Sequence, residues 1–221
     1  SAAHVTSETR ELLTAGHPVI LRTRHHPVVS ALAALAGATD CDDLYVRGTN
    51  FEAVYNAMAR RVLDAAHVSP VVFAVPGHPL IAEESVVRLL ALARAEGVPA
   101  RVYPAVSYAD VAAVALERDL GTIQLCDALD LRIDTWRPAL ISQVYDRDRV
   151  TSLKLRLLDI YPADHEVTVL SALGTPEETI TAVQLNALDH RAYGYLDSVF
   201  VPAIAPLDDV RRFDGLQHVI E

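Results

Sequence analysis

The sequence predicts an α/β fold with a largely parallel sheet in its first half. Three observations carry this. Short β-branched runs alternate with stretches whose apolar residues recur at helical spacing. The run Val71 to Val75 is apolar at every position and is stopped by Pro76-Gly77, as expected for a parallel strand covered on both faces. Hydrophobic residues make up 51% of the 221 residues but aromatics only 6%, so Ala, Val and Leu must fill the core, which suits helices packed on a sheet.

The elements follow in order. Pro18 to Leu21 reads as a buried strand, and Val28, Val29, Leu32 and Leu35 are spaced as a helix after Pro27. Leu44 to Val46 reads as another short strand. Asn50 stands as an N-cap before Val54, Met58, Val62 and Leu63 at helical spacing. After Val71–Val75, a helix is expected from Ala82 to Glu96, with Val86, Leu89, Leu90 and Ala93 on one face and Gly97 and Pro99 ending it. Arg101 to Tyr103 then reads as the strand completing a right-handed βαβ unit.

A second half begins after about residue 132. Ala139 to Tyr145 is expected as a strand, Val150 to Ile160 as a helix, and Val167–Leu170, Ile180–Val183 and Val199–Val201 as further strands. Their short connections predict mixed pairing. Pro176-Glu177-Glu178 reads as a helix start, and Phe213, Leu216, Val219 and Ile220 are spaced as one face of a short helix.

The net charge of −10 repels phosphate backbones and anionic membranes, so neither is an expected partner. The basic group Arg22, Arg24, His25 and His26 reads first as a solvated loop and second as an anion site. Two cysteines, Cys41 and Cys126, lack metal-type spacing and fit a reducing compartment. No basic segment followed by an apolar stretch opens the sequence, and no apolar run reaches about 18 residues. A cytoplasmic location follows as the expectation. No metal site is expected: adjacent His25-His26 ill suit one ion, and Asp40, Asp42 and Asp43 read as a solvated run.

Several segments resemble a known family. Val75-Pro-Gly-His-Pro-Leu-Ile-Ala-Glu83 occupies the place of a strand and Gly-Asp-Pro turn in the tetrapyrrole (corrin/porphyrin) methylases. In the branch fused to MazG-type nucleoside triphosphate pyrophosphohydrolases that turn reads Val-Pro-Gly-His-Pro, as here. Leu21 to Val29, Gln124 to Leu129, Gln143 to Tyr145 and Lys154 to Pro162 resemble further segments of the same branch in the same order. The resemblance spans Val5 to Ile204.

It implies two α/β lobes, residues 1–132 and 133–205, with mixed pairing in the second and an S-adenosylmethionine cleft between them. It also implies a homodimer, a small-molecule methyl acceptor that it does not name, and S-adenosylmethionine or S-adenosylhomocysteine as ligand. By resemblance Pro76, Gly77, His78, Leu80, Ile81, Ala82, Ser107, Tyr108, Asp127, Ala128, Val144, Tyr145 and Ala172 would contact that ligand, with Leu173 a further candidate. No catalytic side chain is implied.

Each has a plainer role beside this one. Pro76 to Ala82 also reads as a tight βα turn, Ser107 as an N-cap, and Tyr145 as a half-buried residue with a bonded hydroxyl. His78 is read equally as a ligand donor and as a turn residue facing water.

Two departures accompany the resemblance. The family's opening Gly-x-Gly-Pro-Gly-Asp-Pro loop does not occur in this sequence, and His78 replaces the Asp of methyltransferase members. They motivate an alternative: a catalytically inactive dimerisation or ligand-sensing domain of a MazG-type enzyme. The pyrophosphohydrolase's own Glu-Glu-x-x-Glu box is not found, since neither Glu83-Glu84 nor Glu177-Glu178 continues into it. Residues 206–221 resemble the segment leading into a MazG domain, so the chain is expected to be the front piece of a longer polypeptide.

Overall fold

The computed structural model describes residues 2–204, which fall into two compact units divided between Val111 and Ala112. The division lies earlier than residue 132 because the segment after Thr122 joins the second sheet. The expected helix at Phe213 to Ile220 lies outside the described residues.

In the first unit, β1 (Val19–Leu21), β2 (Thr39–Asp40) and β3 (Val72–Ala74) form a parallel sheet in the order β2-β1-β3. Ile20 pairs with Thr39 on one side and Phe73 on the other. Five helices accompany it: α1 (Ser7–Thr14), α2 (Pro27–Ala31), α3 (Asp42–Arg47), α4 (Phe51–Val68) and α5 (Glu84–Ala95).

α4 begins as the sequence predicts, because the Asn50 side chain accepts from the Ala53 N–H at 2.8 Å. Its buried face, Val54, Met58, Val62 and Leu63, is the expected one. Three of these form a core with Ile20 and Cys41, against which Phe73 and Leu89 pack. α5 lies along α4 and buries Val86 and Ala93.

Three expectations fail in this unit. Leu44 to Val46 is helical, inside α3. Asp42 and Asp43 in its first turn and Arg47 in its last match the helix dipole, and these local terms outweigh the β tendency of three residues. Arg101 to Tyr103 forms no strand, so the βαβ unit is not completed; the segment pairs with no strand although β3 stands at the edge of its sheet. α5 starts at Glu84 rather than Ala82, because Ala82 is left-handed (φ 54°).

α6 (Tyr108–Ala115) carries the division between the units. The second unit holds β4 (Gln124–Asp127), β5 (Ala139–Ser142), α7 (Arg147–Leu158), β6 (Glu166–Ser171), β7 (Thr179–Gln184) and β8 (Asp197–Val201). Its sheet runs β4-β5-β8-β6-β7, with β4 and β5 parallel and the other pairs antiparallel, so the mixed pairing is as expected.

α7 is capped by Asp146, which accepts from the Arg149 N–H at 2.8 Å, and it buries Val150, Leu153 and Leu157. These pack with Ile141, Val169 and Val199 from three strands. Pro176 to Glu178 does not start a helix. Glu178 instead accepts from the Gly174 N–H at 2.6 Å and closes a turn into β7. Among the described residues no helix is long and apolar enough to cross a membrane.

Candidate functional site

The candidate residues of the first unit sit on the connection from β3 to α5 and on the entry to α6. Gly77 is left-handed (φ 72°), a conformation that glycine adopts without a side-chain penalty. His78 Nδ1 accepts from the Leu80 N–H at 3.1 Å, and the His78 carbonyl accepts from the Ile81 N–H at 3.2 Å. The ring is therefore a turn-forming acceptor at Nδ1, which leaves Nε2 for a proton when neutral. Nδ1 shapes the turn, so the expectation of a ligand donor rests on Nε2. Leu80, 49% exposed, presents apolar surface, and Pro76 and Ile81 are half-buried.

Ser107 is brought against this turn, since a Cβ built on Gly77 would lie 4.0 Å from the Ser107 Cα. Ser107 is buried, and its role is the cap. Its N–H and hydroxyl both donate to Asp110 Oδ2, at 2.7 and 2.6 Å, while its Oγ accepts from the Asp110 N–H at 3.2 Å. This reciprocal Ser-x-x-Asp arrangement satisfies the first turn of α6 from within. The hydroxyl and main-chain bonds from Ser107 hold the Asp110 carboxyl below its ordinary range. Tyr108, the first residue of α6, is half-buried beside this cap.

The basic cluster is not a free anion site. Arg22 pairs with Glu83 at 3.1 Å, and Arg24 with Asp40 at 2.9 Å. His26 caps α2 by accepting from the Val28 N–H, and burial, above all other causes, lowers it to about 4.

In the second unit, topology collects the candidates. β5 and β6 are both antiparallel to β8, and β4 is parallel to β5, so β4, β5 and β6 end on the same side of the sheet. Asp127 ends β4 and Ala128 follows it, Val144 and Tyr145 follow the end of β5, and Ala172 that of β6. Ligands in α/β proteins gather at such carboxyl ends. Asp127 Oδ1 accepts from the Leu129 N–H at 2.7 Å, and the Ala128 N–H donates to Ser142 O at 3.1 Å. Val144 is fully buried in the core, so only its main chain remains for a ligand. Tyr145 stacks on the exposed Tyr195 at 5.7 Å, and the Arg149 guanidinium lies over the Tyr145 ring at 4.4 Å from its centre. An open depression of about 470 Å³ is lined by Tyr145, Arg147, His190, Arg191 and Tyr193 among others.

Among the described residues four non-glycine positions are left-handed: Ala82, Glu117, Gln143 and Ala172. Gln143 directly follows β5 and Ala172 directly follows β6, while Ala82 ends the loop after β3. Such conformations cost free energy and concentrate where a backbone is held for a purpose. The sequence reading named Ala82 and Ala172 but not Gln143, whose conformation has no composition signal. It also missed Tyr195 and Glu83, the latter read as the end of the Val75–Glu83 motif and as part of a failed carboxylate box.

Comparison with known proteins agrees with this architecture. The family model of the Tetrapyrrole (Corrin/Porphyrin) Methylases matches residues 1–189. The uncharacterized protein YabN of Bacillus subtilis (strain 168) is 34% identical over 206 residues, covering 90% of this chain and 42% of that protein. The chain thus spans about two fifths of the length of the curated relative it matches. Among solved structures, uroporphyrin-III C-methyltransferase from Thermus thermophilus aligns with a TM-score of 0.68 at 21% identity, over 93% of this chain and 90% of that one. A structure of the uroporphyrin-III C-methyltransferase complexed with S-adenosylhomocysteine aligns at 0.63 and 19% identity, over 96% and 94%. The two α/β units, the strand-end turns and the family match lead to one conclusion: this chain belongs to the tetrapyrrole (corrin/porphyrin) methylase family.

Proposed function

We propose that this chain binds S-adenosylmethionine and transfers its methyl group to a small-molecule acceptor. The observation that carries the reading is the set of left-handed residues at the ends of strand connections, Ala82, Gln143 and Ala172, in a chain of this family. A neighbour of the same fold is complexed with S-adenosylhomocysteine, which supports the choice of ligand.

The residues fit such a ligand in part. Leu80 and Ile81 offer apolar surface for a ring, and the main chain of 76–82 offers fixed dipoles that need no reorganisation. Within the second unit, Asp127, Ala128, Tyr145 and Ala172 stand at strand ends where a ligand is expected, and Val144 offers only its main chain. Ser107 and Tyr108 act differently in this reading. The Ser107 donors are engaged by Asp110, so this pair shapes the wall beside Gly77 rather than holding the ligand's carboxylate.

When bound, the sulfonium supplies an activated methyl group for in-line displacement. The protein's part is to orient the acceptor and exclude water, effects that act through positioning rather than through a strong base. In the same reading the protein is a cytoplasmic homodimer joined to a MazG-type pyrophosphohydrolase; the match covers 42% of YabN, a length with room for a further domain.

Calorimetric titration with S-adenosylhomocysteine tests the ligand, and transfer from methyl-labelled S-adenosylmethionine to carboxylated tetrapyrroles and other small molecules tests the activity. Saturable one-site binding is expected. No heat of binding at millimolar ligand would overturn the reading.

A second reading has its own observation. His78 Nδ1 is fixed within the turn, where methyltransferase members carry Asp. A ligand-sensing domain without transfer would bind S-adenosylhomocysteine yet release no methylated product.

A further inference from the structure

We infer that Arg22 and Glu83 form a clamp that sets the conformation of the 75–82 loop and act as positioning residues for what that loop holds. The inference rests on the proposed ligand site only for its functional consequence. The clamp itself stands on geometry within the first unit.

Arg22 fixes both ends of the loop. Its main-chain N–H donates to Ala74 O at 2.9 Å, one step beyond the Leu21–Ala74 pair, and so holds the last residue of β3. Its side-chain Nε lies 3.1 Å from Glu83 Oε2, where the loop enters α5. The Nε–H is not aligned with the oxygen, so this contact is ionic. Arg22 Nη1 also donates to the Tyr45 hydroxyl at 3.2 Å, which ties the pair to α3.

Glu83 occupies the N-cap position of α5 yet makes no capping bond. Its side chain, 5% exposed, turns back instead: Oε2 meets Arg22 and Oε1 accepts from the buried Ser85 hydroxyl at 2.6 Å. A short Ser, Thr or Asp would cap the helix better. A buried ion pair gains little stability over apolar packing, since desolvation opposes the attraction. What it supplies is direction. Ala82, the residue before Glu83, is left-handed, and a non-glycine residue keeps that conformation only where its surroundings enforce it.

The test combines hydrogen exchange with ligand affinity in Glu83→Gln and wild type. The Leu80 and Ile81 amides report the loop, since both are bonded to His78. The clamp predicts about ten-fold faster exchange at these two amides in Glu83→Gln, with Ile20 and Phe73 unchanged, and about ten-fold weaker S-adenosylhomocysteine binding. A uniform rise across the first unit, with unchanged affinity of the folded protein, would reduce the pair to a structural contact and overturn the inference. Should Glu83→Gln fail to fold, Ser85→Ala and Tyr45→Phe remove only neutral partners of the pair. Each is expected to speed the loop amides by about three-fold, and no change in either would equally overturn the clamp. If wild type binds no S-adenosylhomocysteine, the proposed function falls, and the exchange pattern alone decides the clamp.

Discussion

Gly77 faces the main chain of Val106: a Cβ built on it would lie 3.8 Å from the Val106 carbonyl oxygen, an ordinary contact. Space therefore does not demand glycine here; the positive φ does. Gly77→Ala is expected to lower stability by about 1 kcal/mol, the left-handed penalty less the entropy gained by removing glycine. Urea denaturation measures it, and an unchanged midpoint would contradict the account.

Ala82 and Ala172 present the converse case, with φ of 54° and 51°. Ala82→Gly and Ala172→Gly should each change stability by no more than about 1 kcal/mol in the favourable direction, since strain relief exceeds glycine's entropy cost. A clear loss of stability would show that the alanine methyl makes packing contacts that outweigh the strain.

The Ser107–Asp110 box makes a pH-dependent prediction. The Asp110 carboxyl is held below its ordinary value of 3.8, first by the Ser107 hydroxyl and then by the Ser107 main-chain N–H. A depressed folded-state value means that the stabilisation is present above the ordinary value. It is lost as pH falls through the lowered one. Ser107→Ala should cost about 1 kcal/mol near neutrality. In Asp110→Asn the part of the acid-range slope due to this carboxyl should vanish. Thermal melts from pH 7 to pH 2 compare the three proteins.

Lys154 and Asp189 pair at 2.8 Å with side chains 15% and 9% exposed, and Thr151 donates to the same carboxylate at 3.0 Å. Lys154→Met would leave a buried carboxylate with only the hydroxyl and a distant His190. A loss of about 3 kcal/mol is expected, whereas the double change Lys154→Met with Asp189→Leu should recover much of it. Guanidinium denaturation of the set reads the coupling directly, and equal losses in single and double variants would argue against it.

Tyr195 is 84% exposed while stacked on Tyr145. Tyr195→Ala should alter stability by less than about 0.5 kcal/mol, as exposed substitutions usually do. Under the proposed function it should nonetheless weaken S-adenosylhomocysteine binding by freeing the Tyr145 ring, a change that calorimetry detects. Unchanged affinity would remove Tyr145 from the ligand's surroundings.

Legibility followed the range of the forces involved. α4 was readable to its first residue because Asn50 and the Val54–Met58–Val62 spacing act within a few turns of chain. β6, β7 and β8 were readable as runs, since β-branched residues mark them whatever their partners, and β5 as a short apolar run. Leu44 to Val46 and Arg101 to Tyr103 misled for the same reason: a run of three residues fits either a strand or something else, and only a ladder partner decides. α1 went unread although Thr6, which accepts from the Thr9 N–H at 3.1 Å, marks its start.

The amino-acid order alone determined the α/β class, the main helices and the family, because these depend on local spacing and on short motifs such as Val75 to Pro79. Three matters awaited the folded chain. Strand order placed the ends of β4, β5 and β6 on one side, backbone angles singled out Gln143, and burial turned Glu83 from half of a failed box into the partner of Arg22. Each joins residues far apart in sequence, and such contacts exist only once the intervening chain has packed.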